Sequence, residues 1–155
     1  MGLLRLIQGD CVYLDTNIWI YALEDIPKLG QALVPVFNAV DNGTLSAITS
    51  ELTLAETLVK PLQIGNQAQR DTYTAALTSR GNLQVAPITR NILTHAAEIR
   101  ATTRLKLPDA IHVATALRHN CTTFLSNDKQ FRAVPGLTIV PVSDALTGNS
   151  ENPET

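Results

Sequence analysis

Cysteine is scarce in this chain, which has only Cys11 and Cys121 among its 155 residues. It contains no CxxC pair and no cluster of histidine and cysteine at zinc-ligand spacing, which excludes a structural zinc site and a disulfide-rich scaffold. Each cysteine lies beside an apolar segment of the kind that forms strands. We therefore expect both to be free, buried thiols, consistent with a reducing cytosol.

Long apolar runs are also missing. No stretch approaches the roughly 20 apolar residues that a membrane-spanning helix needs. The first ten residues lack the apolar core and the cleavage site of a secretory signal. These absences lead us to expect a cytoplasmic protein without a membrane partner.

No internal repeat or linker divides the chain. Its length favours one domain, which we place at residues 1–147, followed by a polar tail at 148–155 that we expect to be disordered. The net charge of −2 is unevenly distributed: residues 1–59 carry two basic and seven acidic side chains, whereas residues 60–132 carry ten and four. This basic segment suits a polyanion, although the count alone slightly favours ordinary solvated helix faces.

Apolar segments of strand length alternate with amphipathic segments, a pattern typical of an α/β fold with a mainly parallel sheet. The predicted strands are Cys11–Leu14, Leu45–Thr49, Leu83–Ala86, Thr122–Leu125 and Leu137–Val140. The predicted helices are Asn17–Glu24, Leu29–Val40, Glu51–Gln63, Gln67–Arg80, Thr89–Thr103 and Pro108–His119. Pro35 should lie in a first turn or kink its helix, and Pro61 should break its helix near the end.

Four acidic residues occupy the positions where an α/β enzyme holds a metal. Asp15 and Asp128 each follow a predicted strand, and the carboxyl ends of parallel strands meet at one edge of a sheet. Glu56 lies within a predicted helix, and Asp109 opens another. Converging carboxylates repel one another unless a cation neutralises them, and sites made only of oxygen ligands suit Mg²⁺ or Mn²⁺. The pattern therefore predicts a divalent-metal enzyme that acts on phosphate esters.

Three of the four positions also have a structural interpretation. Asp15 would serve equally well as a helix cap, and an acid after proline, as at Asp109, is a common helix opening. Glu56 would form a weak surface pair with Lys60, four residues later. His112, one turn after Asp109, would reach a phosphate or a ligand carboxylate, but a purely structural histidine is the favoured interpretation.

Two other chemistries fit less well. Asn17 stands where a phosphatase that forms an aspartyl phosphate requires a second aspartate, so that route is disfavoured. The four carboxylates also include no nucleophile–base pair of the Ser-His or Cys-His kind. Ser126, which precedes Asp128 by two residues, is placed to bind a carboxylate or a metal-bound water.

The segments Asp15-Thr16-Asn17, Leu54-Ala55-Glu56, Pro108-Asp109-Ala110 and Ser126-Asn127-Asp128 together resemble the PIN-domain family, above all the VapC-type toxins of toxin–antitoxin pairs. The resemblance covers roughly Val12 to Val142. It implies a three-layer α/β/α sandwich with a central sheet of about five strands. It also implies a Mg²⁺- or Mn²⁺-dependent endoribonuclease that cleaves RNA, frequent homodimers, and a cognate antitoxin protein.

The resemblance also implies roles for individual residues. The expected catalytic carboxylates are Asp15, Glu56, Asp109 and Asp128. Asp15 and Asp109 are expected to bind the metal directly, whereas Glu56 and Asp128 act either directly or through water. Asn17 and Ser126 match accessory polar positions of the family, where threonine is commoner than serine at the latter.

Two alternatives remain open from the sequence. The first is a PIN nuclease of RNA processing that has no antitoxin. The second is a catalytically silent PIN-like scaffold or a receiver-type signalling domain. A receiver would use one aspartate as phosphoacceptor beside a lysine and would not need Glu56.

Overall fold

The centre of the protein is a sheet of five parallel strands, seen in a computed structural model that describes residues 2–131 and 134–150. The strands are β1 (Cys11–Leu14), β2 (Ser46–Ser50), β3 (Leu83–Ala86), β4 (Thr123–Ser126) and β5 (Thr138–Pro141). Their order across the sheet is β3-β2-β1-β4-β5. Strand β1 is therefore central, with its Tyr13 opposite Ile48 of β2 and Phe124 of β4.

Helices connect the strands. They are α1 (Thr16–Leu23), α2 (Leu29–Asp41), α3 (Glu51–Ile64), α4 (Gln67–Ala76), α5 (Arg90–Thr102), α6 (Leu107–Arg118) and α7 (Ser143–Ser150). Two short 3-10 helices, at Leu3–Leu6 and Lys129–Phe131, complete the described elements. In the described part of the chain, no helix combines the length and apolarity needed to cross a bilayer.

The two faces of the sheet build two separate cores. Side chains alternate along a strand, so Val12 and Leu14 enter a core shared with α1 and α2, whereas Tyr13 enters the opposite core. There Tyr13 stacks on Phe124, with ring centroids 5.0 Å apart, beside Val113 of α6. Strand β1 is thus apolar on both faces, as a central parallel strand must be. The predicted three-layer α/β/α sandwich is confirmed.

Several helix boundaries confirm the sequence signals, because local hydrogen bonds set them. Ser50 caps α3 by accepting a hydrogen bond from the Leu52 amide, and Asn66 caps α4 by accepting one from the Gln69 amide. Gly65 ends α3 in the left-handed region, at a φ of 72°, where glycine has no Cβ penalty.

Pro61 interrupts its helix less than predicted. Helix α3 continues through Pro61 to Ile64, and the Pro61 carbonyl accepts the amides of Gly65 and Asn66. The proline removes only its own donor, so the predicted break is wrong. Pro35 lies inside α2, well beyond the first turn.

Helix α4 is shorter than predicted, because it ends at Ala76 and not at Arg80. Residues 79–80, which follow the helix, instead form hydrogen bonds with β3. The backbones of Arg80 and Leu83 exchange two hydrogen bonds, and the Ser79 hydroxyl accepts the amide of Val85. The contact with the Leu83 carbonyl uses the Arg80 amide, which a continuing helix would need for its own hydrogen bond.

Two further expectations concern the termini and the thiols. The tail predicted at 148–155 falls on α7 as far as Ser150, and residues 151–155 lie outside the described residues.

Both cysteines are free, as predicted, and Cys121 is buried. Cys11 is only partly buried, because it begins β1 at the rim of the sheet.

Candidate active site

A polar pocket of about 230 Å³ lies at the carboxyl ends of β1 and β4. It is lined by Asp15, Thr16, Asn17, Ile20, Glu56, Asp109, His112 and Asp128. All four predicted carboxylates therefore line one cavity, although they come from four separate parts of the chain. Asn17 lines it as well, and Ser126 is buried directly beneath it, bonded to Asp15.

Asp15 is fixed by two hydrogen bonds. As the N-cap of α1, it accepts the Thr16 amide at Oδ1 (2.9 Å), and its Oδ2 accepts the Ser126 hydroxyl (2.7 Å). The Ser126 hydroxyl in turn accepts the backbone amide of Asp128 (3.0 Å). Burial raises the pKa of Asp15, whose side chain is only 5% exposed, although His112 and these hydrogen bonds act in the opposite direction. Asp15 is thus both a helix cap and a pocket carboxylate.

Glu56 is held by a buried histidine. Nε2 of His112 lies 2.8 Å from Glu56 Oε1, and the Thr16 hydroxyl donates to the same oxygen at 2.6 Å. Burial raises the pKa of Glu56, but the hydrogen bonds from His112 and Thr16 and the charge of His112 outweigh it, so that the pKa lies below its ordinary value. Glu56 is therefore ionised at neutral pH.

His112 is itself fixed from behind by Tyr13. The Tyr13 hydroxyl lies 2.6 Å from His112 Nδ1, and both side chains are almost completely buried. Burial and the charges of Asp15 and Glu56 raise the pKa of Tyr13 well above its ordinary value. The hydroxyl thus keeps its proton, and the two contacts, of Tyr13 with Nδ1 and of Glu56 with Nε2, fix the imidazole ring between these side chains.

Threonines support the same side of the pocket. The Thr49 hydroxyl donates to the Leu14 carbonyl (2.9 Å) and lies 2.8 Å from the hydroxyl of Thr53. Thr53 in turn lies 3.5 Å from the hydroxyl of Thr16, which contacts Glu56. These hydroxyls tie the end of β1 to β2 and α3, so the positions of Asp15 and Glu56 depend on one another.

Asp109 and Asp128 form the other side of the pocket, where fewer hydrogen bonds hold the carboxylates. Burial, followed by the charges of Asp128 and Asp15, raises the pKa of Asp109 to about 6. Asp128 Oδ1 accepts the amide of Gln130 (2.9 Å), which shapes its own turn. The side chain of Asp109 has no hydrogen-bond partner among the described residues. Negative charge is therefore least compensated at this side of the pocket.

The donor chemistry of the pocket fits a hard divalent cation, because its polar lining is four carboxylates, an amide, a hydroxyl and one imidazole that already contacts Glu56, with no thiol. The raised pKa of Asp109 indicates negative charge that a cation would relieve. Within residues 2–131 and 134–150, no three histidine, cysteine or acidic side chains are already arranged to hold a metal ion. The pocket thus supplies suitable ligands without a preformed cage.

The sequence analysis underestimates His112, and it does not predict the contact of the Thr16 hydroxyl with Glu56. It favours a purely structural His112, yet this residue lines the pocket and binds Glu56. Its position three residues after Asp109 places both on one face of α6, which is the available signal. Glu56 takes His112 and Thr16 as its described partners, so the surface-pair interpretation with Lys60 does not account for it.

Known structures share this fold. The VapBC2 structure from Rickettsia felis, bound to a promoter DNA fragment, has a TM-score of 0.66 at 18% identity and covers 84% of this chain and 98% of that one. VapC20 of Mycobacterium tuberculosis, a sarcin–ricin loop cleaving toxin, has a TM-score of 0.66 at 16% identity and covers 84% and 99%. A Klebsiella pneumoniae toxin–antitoxin complex has a TM-score of 0.63 at 24% identity and covers 84% and 97%. No curated protein matches the sequence significantly.

The family model of the PIN domain matches residues 12–137, which is most of the chain and includes all four pocket carboxylates. The fold resemblance to VapC proteins is also confirmed by the structures above, at identities that establish the fold alone. The resemblance carried by the four acidic motifs is thereby confirmed: this chain belongs to the PIN-domain family.

Proposed function

We propose that this protein is a divalent-metal-dependent endoribonuclease that hydrolyses RNA phosphodiester bonds. Membership of the PIN family supports a nuclease. The observation that carries the proposal is the convergence of Asp15, Glu56, Asp109 and Asp128 in one pocket, where the pKa of Asp109 is raised to about 6. An acidic pocket repels a phosphodiester, which is also negatively charged. A divalent cation bound by the pocket carboxylates would bind the phosphodiester as well.

Asp15 and Asp109 would hold Mg²⁺ or Mn²⁺ directly, and Glu56 and Asp128 would do so directly or through water. When bound, the cation supplies Lewis-acid stabilisation of the charge that develops at the phosphorus and the leaving oxygen. Asp15 suits this role because Ser126 and the Thr16 amide fix both of its oxygens. Positioned oxygens lower the cost of assembling the site.

The residues of the chain also orient the water that attacks phosphorus. Glu56 is ionised, and its Oε1 is occupied by His112 and Thr16. Its Oε2 is the oxygen left to accept a hydrogen bond from water, and the side chain, which is 34% exposed, lines the pocket. In this scheme the water attacks in line with the leaving oxygen, and Asn17 contacts a neighbouring phosphate group.

RNA as the substrate is supported by two observations. VapC20, which shares the fold, is a toxin that cleaves the sarcin–ricin loop. In this chain, exposed lysines lie close in sequence to three pocket acids: Lys60 one turn after Glu56, Lys106 one turn before Asp109, and Lys129 directly after Asp128. Lysines at these positions would bind the phosphates that flank the cleaved bond.

We further propose that the protein is the toxin of a toxin–antitoxin pair, acting as a cytoplasmic homodimer that a cognate antitoxin inhibits. The structures that share its fold include several toxin–antitoxin complexes. An apolar cleft of about 290 Å³ between α1 and α2, lined in part by Trp19, Val34 and Phe37, offers a surface for such a partner. Trp19 Nε1 is buried there without a hydrogen-bond partner among the described residues.

The nuclease proposal is tested by comparing wild type with Asp15→Asn on labelled structured RNA, in EDTA and after addition of Mg²⁺ or Mn²⁺. Asp71→Asn is the matched control, because Asp71 is an exposed aspartate of α4 outside the pocket. We expect metal-dependent cleavage by wild type and the control, and a loss of at least about 100-fold in Asp15→Asn. Equal cleavage by all three proteins would overturn the proposal.

The toxin proposal is tested separately by induced expression in a bacterial host. Wild type should arrest growth, whereas Asp15→Asn should not. An active nuclease that leaves growth unaffected would instead support an RNA-processing enzyme without an antitoxin. The two assays therefore separate the biochemical activity from its biological role.

A further inference from the structure

The two cysteines of the chain meet at the end of the sheet opposite the acidic pocket. Cys11 begins β1, and Cys121 lies two residues before β4. Their Sγ atoms are 2.7 Å apart, compared with roughly 2.0 Å for a disulfide bond. Both are thiols, so the two sulfurs lie close to bonding distance without being bonded.

The backbone around the two thiols is held by a dense set of contacts. The Gln8 amide donates to the Thr123 hydroxyl (2.9 Å), and the hydroxyls of Thr122 and Thr123 both donate to the Gln8 carbonyl (2.9 Å each). At Gly9, a Cβ atom would lie only 2.9 Å from Thr122 Oγ1. These contacts hold the segments before β1 and β4 side by side, so a bond between the sulfurs requires little backbone movement.

We propose that Cys11 and Cys121 form a reversible intramolecular disulfide when the protein meets a peroxide oxidant, and that this bond clamps β1 to β4. The Cys11 thiolate attacks one oxygen of hydrogen peroxide, forming a sulfenic acid and releasing hydroxide, which takes up the proton that Cys11 had lost and leaves as water. The Cys121 sulfur then attacks the Cys11 sulfur and expels hydroxide, which takes up a proton and leaves as water. Two thiols are oxidised by two electrons in total, and one peroxide is reduced to two waters.

The surroundings assign a different role to each thiol. Cys11 is partly exposed, whereas Cys121 is buried beside Phe124, so a peroxide reaches Cys11 first. The hydrogen bond with Cys121 lowers the pKa of Cys11, although burial and Asp10 act in the opposite direction. The hydrogen bond with Cys11 raises the pKa of Cys121. Cys11 is thus the attacking thiol, and Cys121 the resolving thiol.

The disulfide would link the two strands at whose carboxyl ends the acidic pocket lies. Asp15 follows β1 directly, and Ser126 ends β4. The disulfide would close a loop of about 110 residues between them, and cross-links over long loops remove much of the entropy of the unfolded chain. We therefore expect the oxidised protein to keep its fold and to unfold at a higher temperature.

The experiment treats the reduced full-length protein with a small excess of hydrogen peroxide and removes the oxidant. Intact mass, alkylation of free thiols after denaturation, and peptide mapping then follow. We expect the loss of two hydrogens per chain, no remaining free thiol, one linked peptide pair holding Cys11 and Cys121, and full reversal by dithiothreitol. The melting temperature of the oxidised form should rise by about 5 °C or more.

Cys11→Ser and Cys121→Ala are the matched controls, because each leaves a single thiol and should show no rise on oxidation. Two alkylatable thiols after treatment, a sulfenic or sulfinic acid at Cys11 beside an intact Cys121 thiol, or a disulfide-linked dimer would each overturn the pairing. A disulfide that leaves the melting temperature unchanged or lowers it would overturn the clamp. Because the wild-type mass measurement needs no variant, it decides the pairing even if a variant folds poorly.

Discussion

The two sides of the acidic pocket are built differently. Asp15 and Glu56 each accept two hydrogen bonds, from Ser126, the Thr16 amide, the Thr16 hydroxyl and His112. Asp109 has no such partner among the described residues, and burial together with Asp128 and Asp15 raises its pKa to about 6. The first side is organised by the protein itself, whereas on the second side no side chain of the described residues hydrogen-bonds to Asp109. A proton or a cation would therefore stabilise the pocket most on the side of Asp109.

Variants that change one side of the pocket and leave the other intact should therefore differ in their effects. The largest loss is expected on the supported side, where removing one partner leaves buried polar groups unpaired.

His112→Phe should break the supported side most severely. It keeps an aromatic ring in α6 but removes the His112 contact of the Tyr13 hydroxyl and leaves Glu56 Oε1 with the Thr16 hydroxyl alone. We expect a loss of about 2 kcal/mol in the free energy of unfolding and about 10–100-fold in cleavage rate and in Mn²⁺ affinity. Denaturant unfolding, kinetics and metal titration would measure these changes.

His95→Phe is the control for that variant. His95 lies on the neighbouring helix α5, and its Nδ1 has no hydrogen-bond partner among the described residues. Its replacement should change stability and activity little. If the two variants behaved alike, His112 would not position Glu56.

Ser126→Ala should loosen Asp15. The variant loses the donor to Asp15 Oδ2 and the acceptor of the Asp128 amide, both in a buried setting. We expect about 1–2 kcal/mol lower stability and about tenfold slower cleavage. Ser126→Thr, which keeps the hydroxyl, should stay close to wild type in both measurements. A Thr variant as impaired as the Ala variant would show that packing, and not the hydrogen bond, matters at this position.

Asp109→Asn should stabilise the folded protein at neutral pH, because it removes the negative charge of Asp109 from beside the other carboxylates. The pKa of Asp109 is raised in the folded protein from 3.8 to about 6, so the folded state binds the proton more tightly than the unfolded state. Protonation of Asp109 therefore stabilises the folded protein. This stabilisation is complete below about pH 3.8 and is lost as the pH rises through about 6.

In EDTA at about pH 7.5, Asp109→Asn should therefore be more stable than wild type by about 1 kcal/mol, a value reduced for the partial exposure of the side chain. The gain should vanish near about pH 4, where wild-type Asp109 is protonated in the folded state. Thermal melts of both proteins across this range provide the measurement. A variant that is less stable than wild type at the higher pH would contradict the assignment of uncompensated charge to Asp109.

Lys106→Ala should give the smallest change. Lys106 is exposed and precedes Asp109 by one turn at the start of α6, whereas Arg118 is exposed at the other end of the same helix. We expect Lys106→Ala to weaken RNA binding about threefold at low salt and to reduce its salt dependence. Arg118→Ala, the matched control, should bind RNA as wild type does. Equal effects of both variants would place the RNA elsewhere or on both ends of the helix.

Much of the fold follows from local sequence patterns. The apolar segment at Cys11–Leu14 becomes the central strand, and Ser50 and Asn66 cap the helices that they precede. These features depend on neighbours within a few residues, so a single sequence contains the information. The end of α4 at Ala76 does not follow from the sequence, because contacts between residues 79–80 and β3 decide it.

The candidate site divides in the same way. The positions of Asp15 and Asp128 after strands, and of Asp109 at a helix start, are local features that predict a shared pocket. The part played by His112 is not a local feature, since its partners Tyr13 and Glu56 lie 99 and 56 residues away. The contact between Cys11 and Cys121, which lie 110 residues apart, is hidden for the same reason.

The sequence alone determined which chemical groups this protein has and which strands and helices present them, because apolar periodicity, capping residues and strand-end acids act over short distances. Only the tertiary structure decided how those groups affect one another. It bonded Glu56 to a buried histidine, left Asp109 facing other carboxylates, and brought two thiols into contact. Hydrogen bonding, charge repulsion and burial depend on distance in space, which the order of residues along a chain does not specify.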